Sequence, residues 1–342
     1  MTFLAFFLVI AVCVLIHEFG HFASARLIGV RVHEFAFGMG PILLSRERGC
    51  TRWSFRAFPV GGFVRLAGMG EEQEGESCAD EESFGHKRPW ERCVILASGA
   101  GLNILLAVGL TAALLMGHGV LDLESTVVGE VMAGYPADQW GVVSGDRILS
   151  VNGEAVTTWD DMSRRLREKG AQGAVMLEVE HRGAVRVFSG ELSRDARQGT
   201  PLFGVRPRWV TYGFAAALGH SFSYTWQMSR EILSGMVAWI FARRDIDVTG
   251  PVGIANLAGE AARQGMWSFL SFLAVINLHL GLLNLFPFPA LDGGRLFFVF
   301  GEMITGRRLP ERWEQYIHLG GFAVLMALIL VITWQDLVKL LG

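Results

Sequence analysis

The chain has 342 residues, 51% of them hydrophobic and 18% charged, with a formal net charge of −3. Its mean hydropathy of +0.36 is apolar for a soluble protein. That balance excludes a nucleic acid partner recognised through a basic surface, and predicts a membrane part joined to one small soluble domain. The four cysteines, Cys13, Cys50, Cys78 and Cys93, form no CxxC pair and no metal-site spacing, so they read as free thiols.

Residues 2–25 (TFLAFFLVIAVCVLIHEFGHFASA) are long enough for a hydrocarbon core, which takes about 20 apolar residues. They lack the basic start and small-residue cleavage pattern of a signal peptide, so a retained span is expected. In residues 31–70, Trp53, Phe55 and Ala57 alternate with polar neighbours and GGFVRL follows Pro59. This predicts a β-hairpin dipping into the membrane interface beside the first span. Residues 70–82 are acidic and read as a mobile link, and residues 93–117 form a second, cleaner span.

Residues 122–206 read as a soluble module. Val127–Met132 suits a strand, PADQWGVVSGD a short helix and turn, and RILSVNG a strand closed by Asn152-Gly153. Thr158 and Asp161 form a capping box, and Gly170 stops the helix they start. VMLEVEHRGAVRVFSGEL then predicts a hairpin turning near Arg182-Gly183. A helix-capped β domain of this length fits a PDZ-like module. Residues 209–242 are apolar but broken by Arg230 and Glu231, and predict an amphipathic helix on the membrane surface within a 207–265 connector. Residues 266–288, ending in NLFPFP, and 318–338 complete the spans.

The expected fold is thus a polytopic α-helical membrane protein with four transmembrane helices, a membrane-associated β-hairpin and one inserted PDZ-like α+β domain. Its parts are residues 1–121 (first membrane half), 122–206, 207–265 and 266–342 (second membrane half). Arg26, Arg31, Lys87, Arg88 and Arg92 flank the first two spans, and Arg307, Arg308 and Arg312 follow the third. By the excess of positive charge on cytoplasmic loops, residues 26–92 and the loop near 307 face the cytoplasm. The N-terminus and residues 118–265 are then expected outside.

The chemistry concentrates in two places. His17-Glu18-Phe19-Gly20-His21 is HExxH, whose histidines at i and i+4 share one helix face about 6 Å apart along the axis. Two imidazoles so placed can meet one zinc, with Glu18 beside them to take a proton from an attacking water. The bland alternative is two surface histidines and a helical glutamate; three ionisable groups inside an apolar span are expensive, and such groups usually serve function. Zinc needs a third protein ligand. In Asn284-Leu-Phe-Pro287-Phe-Pro289-Ala-Leu-Asp292-Gly293-Gly294, two prolines break a helix at membrane depth, which is tolerated only where the backbone lines a covered or wet cavity. Read alone, Asp292 fits either a metal ligand or a capping carboxylate before a loop.

Together, HEFGH in the first span and NLFPFPALDGG late in the chain resemble the site-2 protease family of intramembrane zinc metalloproteases, and most of all its bacterial regulator-of-sigma-E protease branch. FGMGP, GGFVRLAG, GAGLN, the PDZ-like module and TGPVGIA at residues 249–255 agree, so the resemblance covers essentially the whole chain. It implies His17, His21 and Asp292 as zinc ligands, Glu18 as catalytic base, and Asn284 and Pro287 near the substrate. It also implies that Gly61, Gly62, Phe63 and Val64 bind substrate as an added strand, and that the PDZ-like module screens substrates by size. The substrate implied is a single-span membrane protein in the bilayer of the bacterial inner membrane, trimmed beforehand by another protease; an anti-sigma factor or a signal-peptide remnant fits.

Departures are visible. There is space for one PDZ-like module where the best-known sigma-E-type members carry two in tandem, Trp140 stands where a small residue is usual, and His279 stands where asparagine is common. His279 is expected to be a packed or substrate-facing helix histidine, and the remaining histidines, including His318, are scattered without assigned chemistry. Two other classes fit less well: a proteolytically dead scaffold, opposed by the intact motifs, and a zinc transporter, opposed by ligands that converge on one point.

Overall fold

The computed structural model describes residues 1–69, 79–194, 199–242 and 249–341. Most of the acidic link, residues 70–78, lies outside them. The chain divides into two compact units, one of Met1–Ala113 with Leu218–Gly342 and one of Leu114–Ala217.

The first unit opens with helix α1 (Thr2–Ile28), apolar apart from His17, Glu18, His21, Arg26 and a few small polar residues, and closed by Gly29 in the left-handed conformation at φ 79°. Strands β1 (Val32–Arg48) and β2 (Thr51–Leu66) follow. They form more than the single hairpin expected, because β1 pairs twice. Glu34 to Phe37 lie between Gly62–Arg65 on one side and Arg52–Phe55 on the other, while Leu44 to Arg48 pair back on Thr51–Phe55. Both ladders are antiparallel, and the stretch ending in Leu66 is an edge. Glu34 pins this folding-over: its buried carboxylate accepts from Ser54 at 2.5 Å, Arg56 at 2.7 Å and Arg65 at 3.3 Å. Burial pushes the Glu34 carboxyl up, but hydrogen bonds from Ser54 and Arg56 and the charges of Arg56 and Arg65 outweigh it and hold it below the ordinary range. Helix α2 (Pro89–Gly117) closes this half.

The second unit begins with β3 (Val120–Leu121), β4 (Val128–Val131), α3 (Pro136–Gln139), β5 (Arg147–Val151) and β6 (Glu154–Ala155). Helix α4 (Trp159–Gly170) is capped by Thr158, whose hydroxyl accepts from the Asp161 amide as its sequence predicts. Then come β7 (Val175–His181), β8 (Ala184–Gly190), β9 (Ser193–Arg194), β10 (Pro201–Leu202), β11 (Val205–Pro207) and β12 (Trp209–Val210). The main sheet has the order β6-β5-β7-β8. Trp159, Met162 and Leu166 recur at helical spacing on α4 and close over Ile148, Val151, Leu177 and Val179. Trp140 stacks on Phe188 at 6.4 Å and leans on Phe203 at 5.4 Å, over the bare Gly190, so the bulky departure is absorbed into this core.

The chain returns through α5 (Phe214–Ala242), α6 (Pro251–Gln264), α7 (Met266–Leu285), α8 (Asp292–Thr305) and α9 (Glu311–Leu341). Among its described residues the 207–265 connector holds a short strand and two helices, and the later residues of α5 pack Met228 and Ile232 against Ala107, Leu278 and Leu282. Among the described residues four helices are long and apolar enough to cross a membrane: Thr2–Ile28, Pro89–Gly117, Met266–Leu285 and Arg312–Lys339. They coincide with the four stretches expected to span, with ends moved by a few residues.

Small residues draw the spans together, as packing in lipid requires. A Cβ on Gly20 of α1 would lie 2.4 Å from the Ser98 carbonyl oxygen of α2, and one on Gly281 of α7 would lie 2.9 Å from that of Ala100. Arg92 of α2 donates to Glu302 of α8 at 2.5 Å. Asp336 of α9 accepts the amides of Gly250 and Gly253 at 3.2 and 2.8 Å, seating α9 on the start of α6.

Candidate metal centre

Helix α1 continues unbroken through HEFGH, so His17 and His21 stack one turn apart. Their Nε2 atoms come within 3.2 Å. Asp292 is the first residue of α8, and the turn before it brings its Oδ2 to 3.0 Å from His17 Nε2 and 3.2 Å from His21 Nε2. Two elements separated by 271 residues thus place three ligand atoms at the corners of a small triangle. Among the described residues this is the one group of three or more His, Cys, Asp and Glu side chains able to share a metal ion.

The donor set fits zinc. Four ligands at about 2.05 Å in a tetrahedron stand roughly 3.3 Å apart, close to the observed spacings, and two imidazoles with one carboxylate leave a fourth position open. The histidine facing matters too. His21 Nδ1 lies 2.8 Å from the Ile95 carbonyl oxygen, to which it donates, so its Nε2 is free to ligate. The same carbonyl accepts Ser98 Oγ at 2.6 Å, and Ser98 meets Ser24 at 2.8 Å, which ties α1 and α2 together behind the ligand.

Gly99 of α2 provides the room. A Cβ there would lie 2.5 Å from His21 Nε2 and 2.8 Å from His17 Cε1, in the space the two ligand edges face. Sequence reasoning did not single it out; its only mark is its place within SGAGLN, ahead of the α1–α2 approach. The Gly-Gly pair after Asp292 has a separate reason. A Cβ on Gly293 would sit 2.1 Å from the Phe286 carbonyl oxygen, and one on Gly294 would sit 2.5 Å from that of Phe288. The turn closes only because both are bare.

Asn284, in the last turn of α7, sets its amide 3.5 Å from His17 Nδ1. Pro287 is exposed in the turn that follows. Gly62 packs against α1: a Cβ there would lie 3.1 Å from Val14 and 3.5 Å from Glu18 Cγ. The backbone of Val64 reaches the Glu18 carboxylate. Gly61 takes a positive φ of 81° at the entry to this edge, with Phe63 paired to Ala36. His279 is separate from the cluster: its Nδ1 donates to the Val275 carbonyl oxygen one turn back at 2.9 Å, the behaviour of a packed helix histidine.

Comparison with known proteins places the whole chain in a family. The model of peptidase family M50 matches residues 5–328. A candidate zinc metalloprotease of Clostridium acetobutylicum is 33% identical over 335 residues, which are 97% of this chain and 96% of that protein. One from Fusobacterium nucleatum is 31% identical and covers 99% of both chains. Zinc metalloprotease RasP of Oceanobacillus iheyensis is 27% identical, again over 99% of both. Among solved structures, the PDZ domain of an SdrC-like protein from Listeria monocytogenes covers 24% of this chain and 85% of its own at 21% identity and a TM-score of 0.22, a likeness too slight to argue from. The family match runs through both motifs and nearly the whole length between them: the chain belongs to peptidase family M50, the site-2 protease family, and is a zinc metalloprotease.

Proposed function

We propose that this protease hydrolyses a peptide bond within or beside the transmembrane helix of a single-span membrane protein. One observation carries the reading: His17, Glu18 and His21 lie inside a helix apolar enough to span a bilayer, and an open sheet edge runs directly alongside Glu18. His17, His21 and Asp292 hold the zinc, which when bound supplies Lewis acidity toward a water and a peptide carbonyl. Glu18 takes the proton of the attacking water and returns it to the leaving nitrogen. Asn284 steadies His17 or the substrate carbonyl, and Pro287 keeps the turn beside it open for substrate.

A transmembrane helix hides its carbonyls in its own hydrogen bonds, so the substrate unwinds locally before cleavage. Gly61 to Val64 offer edge groups to the unwound stretch and replace the bonds it loses, the physics of strand addition. Residues 122–206 act as a PDZ-like module on the extracytoplasmic side with the N-terminus, where they restrict substrates that still carry a bulky outer domain. The setting is a bacterial inner membrane, and an anti-sigma factor or signal-peptide remnant already trimmed by another protease fits the substrate class.

The test is a comparison of membrane-protein fragments in cells carrying the wild-type chain or Glu18→Gln. Uncleaved single-span stubs should accumulate in the variant. Identical fragment patterns would remove the reading and favour a scaffold.

A further inference from the structure

The turn before Asp292 cannot hold its shape from its own sequence. Ala290 stands at φ 81°, a left-handed conformation that is strained for an L-residue and persists only where surroundings impose it. The turn's internal bonds, Phe288 N–H to Phe286 O at 2.7 Å and Leu291 N–H to Phe288 O at 3.2 Å, leave the Ala290 amide to another partner. That partner comes from the last helix. His318 of α9 accepts the Ala290 N–H on its Nδ1 at 2.9 Å.

The contact is built on both sides. The His318 ring stands edge-on to Phe298 of α8, with centroids 5.8 Å apart and planes at 81°. One turn along α9, Gly321 lies so close to Pro289 that a Cβ would come within 2.3 Å of the proline Cβ and 2.6 Å of its carbonyl oxygen. The bare backbone of α9 thus backs the turn while the imidazole holds its strained amide. Ala290 is two residues before Asp292, so the amide it fixes sets where α8 begins and where the Asp292 carboxylate is aimed.

We infer that His318 is a positioning residue for the metal centre: by accepting the Ala290 amide it holds the left-handed turn that presents Asp292 to His17 and His21. Docking of α9, seated at its far end by Asp336, is thereby coupled to completion of the ligand set. This rests on the reading of Asp292 as the third ligand.

The geometry makes a sharp test, because an asparagine side chain can place its amide oxygen near the position of Nδ1 and a glutamine near that of Nε2. Zinc retention by the purified full chain in detergent is measured against a graded chelator for His318→Asn, His318→Gln and His318→Ala. His318→Ala and His318→Gln should bind zinc about tenfold more weakly, the usual cost of losing a ligand's outer support, whereas His318→Asn should stay near wild type. Ala290→Gly, which accepts a positive φ without strain, should restore part of the loss in the His318→Ala background. Equal affinities for the asparagine and glutamine variants, or a wild-type value for both, would overturn the inference. If His318→Ala fails to fold, the asparagine–glutamine split still decides. Asp292→Ala serves as the control: undiminished zinc retention there would sink the ligand reading itself, separately from the role of His318.

Discussion

The two halves of the metal centre are made by different kinds of structure. The α1 half is local: two histidines four residues apart on an apolar helix face the same way because the helix does, and no distant residue is needed to stack them. The Asp292 half is not local. It depends on a broken helix, two glycines that admit close carbonyls, a strained Ala290 and a partner on α9. A helix can carry part of a site cheaply, but joining it to a second part takes tertiary contacts that each fix one atom.

The comparison breaks severely on the α1 half, where Gly99 of α2 lies against both histidines. Gly99→Ala puts a carbon 2.5 Å from His21 Nε2 on a packed backbone, so it should displace the imidazole and lower zinc affinity by tenfold or more, on the order of other losses of ligand support. Chelator competition on the purified protein checks it; affinity unchanged from wild type would mean that α2 gives way. Glu18→Gln should separate chemistry from assembly. It should cut turnover by about 10²–10⁴-fold while leaving zinc content intact, since Glu18 stands beside the triangle and not in it. Parallel metal analysis and cleavage of a membrane substrate read the two effects apart.

A third experiment moves to the neighbouring sheet edge. Val64→Pro removes the amide that Val64 can offer and strains the edge beside Glu18. Cleavage should fall about tenfold or more with zinc affinity unchanged, through loss of the added strand, of the Val64 contact to Glu18, or of both. Equal cleavage would end the strand-addition proposal.

What the sequence disclosed follows the same division. The four long apolar helices, the capped helix α4 with its Thr158 hydroxyl and the 182–183 turn were readable, because each depends on composition, periodicity or residues a few positions apart. HEFGH and LDGG could be paired as motifs, and the 3.0–3.2 Å spacings then gave that pairing its geometry. Gly99 and His318 were not readable. Each acts by proximity across more than 25 residues of chain, and neither residue type in its own neighbourhood announces a metal. The sheet was misjudged for a related reason. Alternation predicts a strand but not which partners it takes, and only the double pairing of Glu34 with Arg52 and Arg65 shows that β1 lies between two stretches of β2.

That double pairing supports an effect on stability instead of turnover, and one with a defined pH sign. Glu34 is held below the ordinary carboxylate range, since the Ser54 and Arg56 bonds and the charges of Arg56 and Arg65 overcome its burial. A carboxyl with a folded pKa below its unfolded one stabilises the fold above the unfolded value of about 4.3, and that contribution is lost as pH falls through the folded value. Glu34→Ala should cost on the order of 2 kcal/mol near neutral pH, less than a fully buried pair because both arginines keep some solvent contact. Limited proteolysis in the 46–52 region, followed as pH is lowered, reads it directly. Wild-type protection should decline on acidification while the variant, cut faster from the start, should show little further change. Matching pH curves for the two proteins would mean that the sheet beside Glu18 keeps its fold without this carboxylate, and that its register is set by the backbone ladder and the Phe35–Trp53 contact alone.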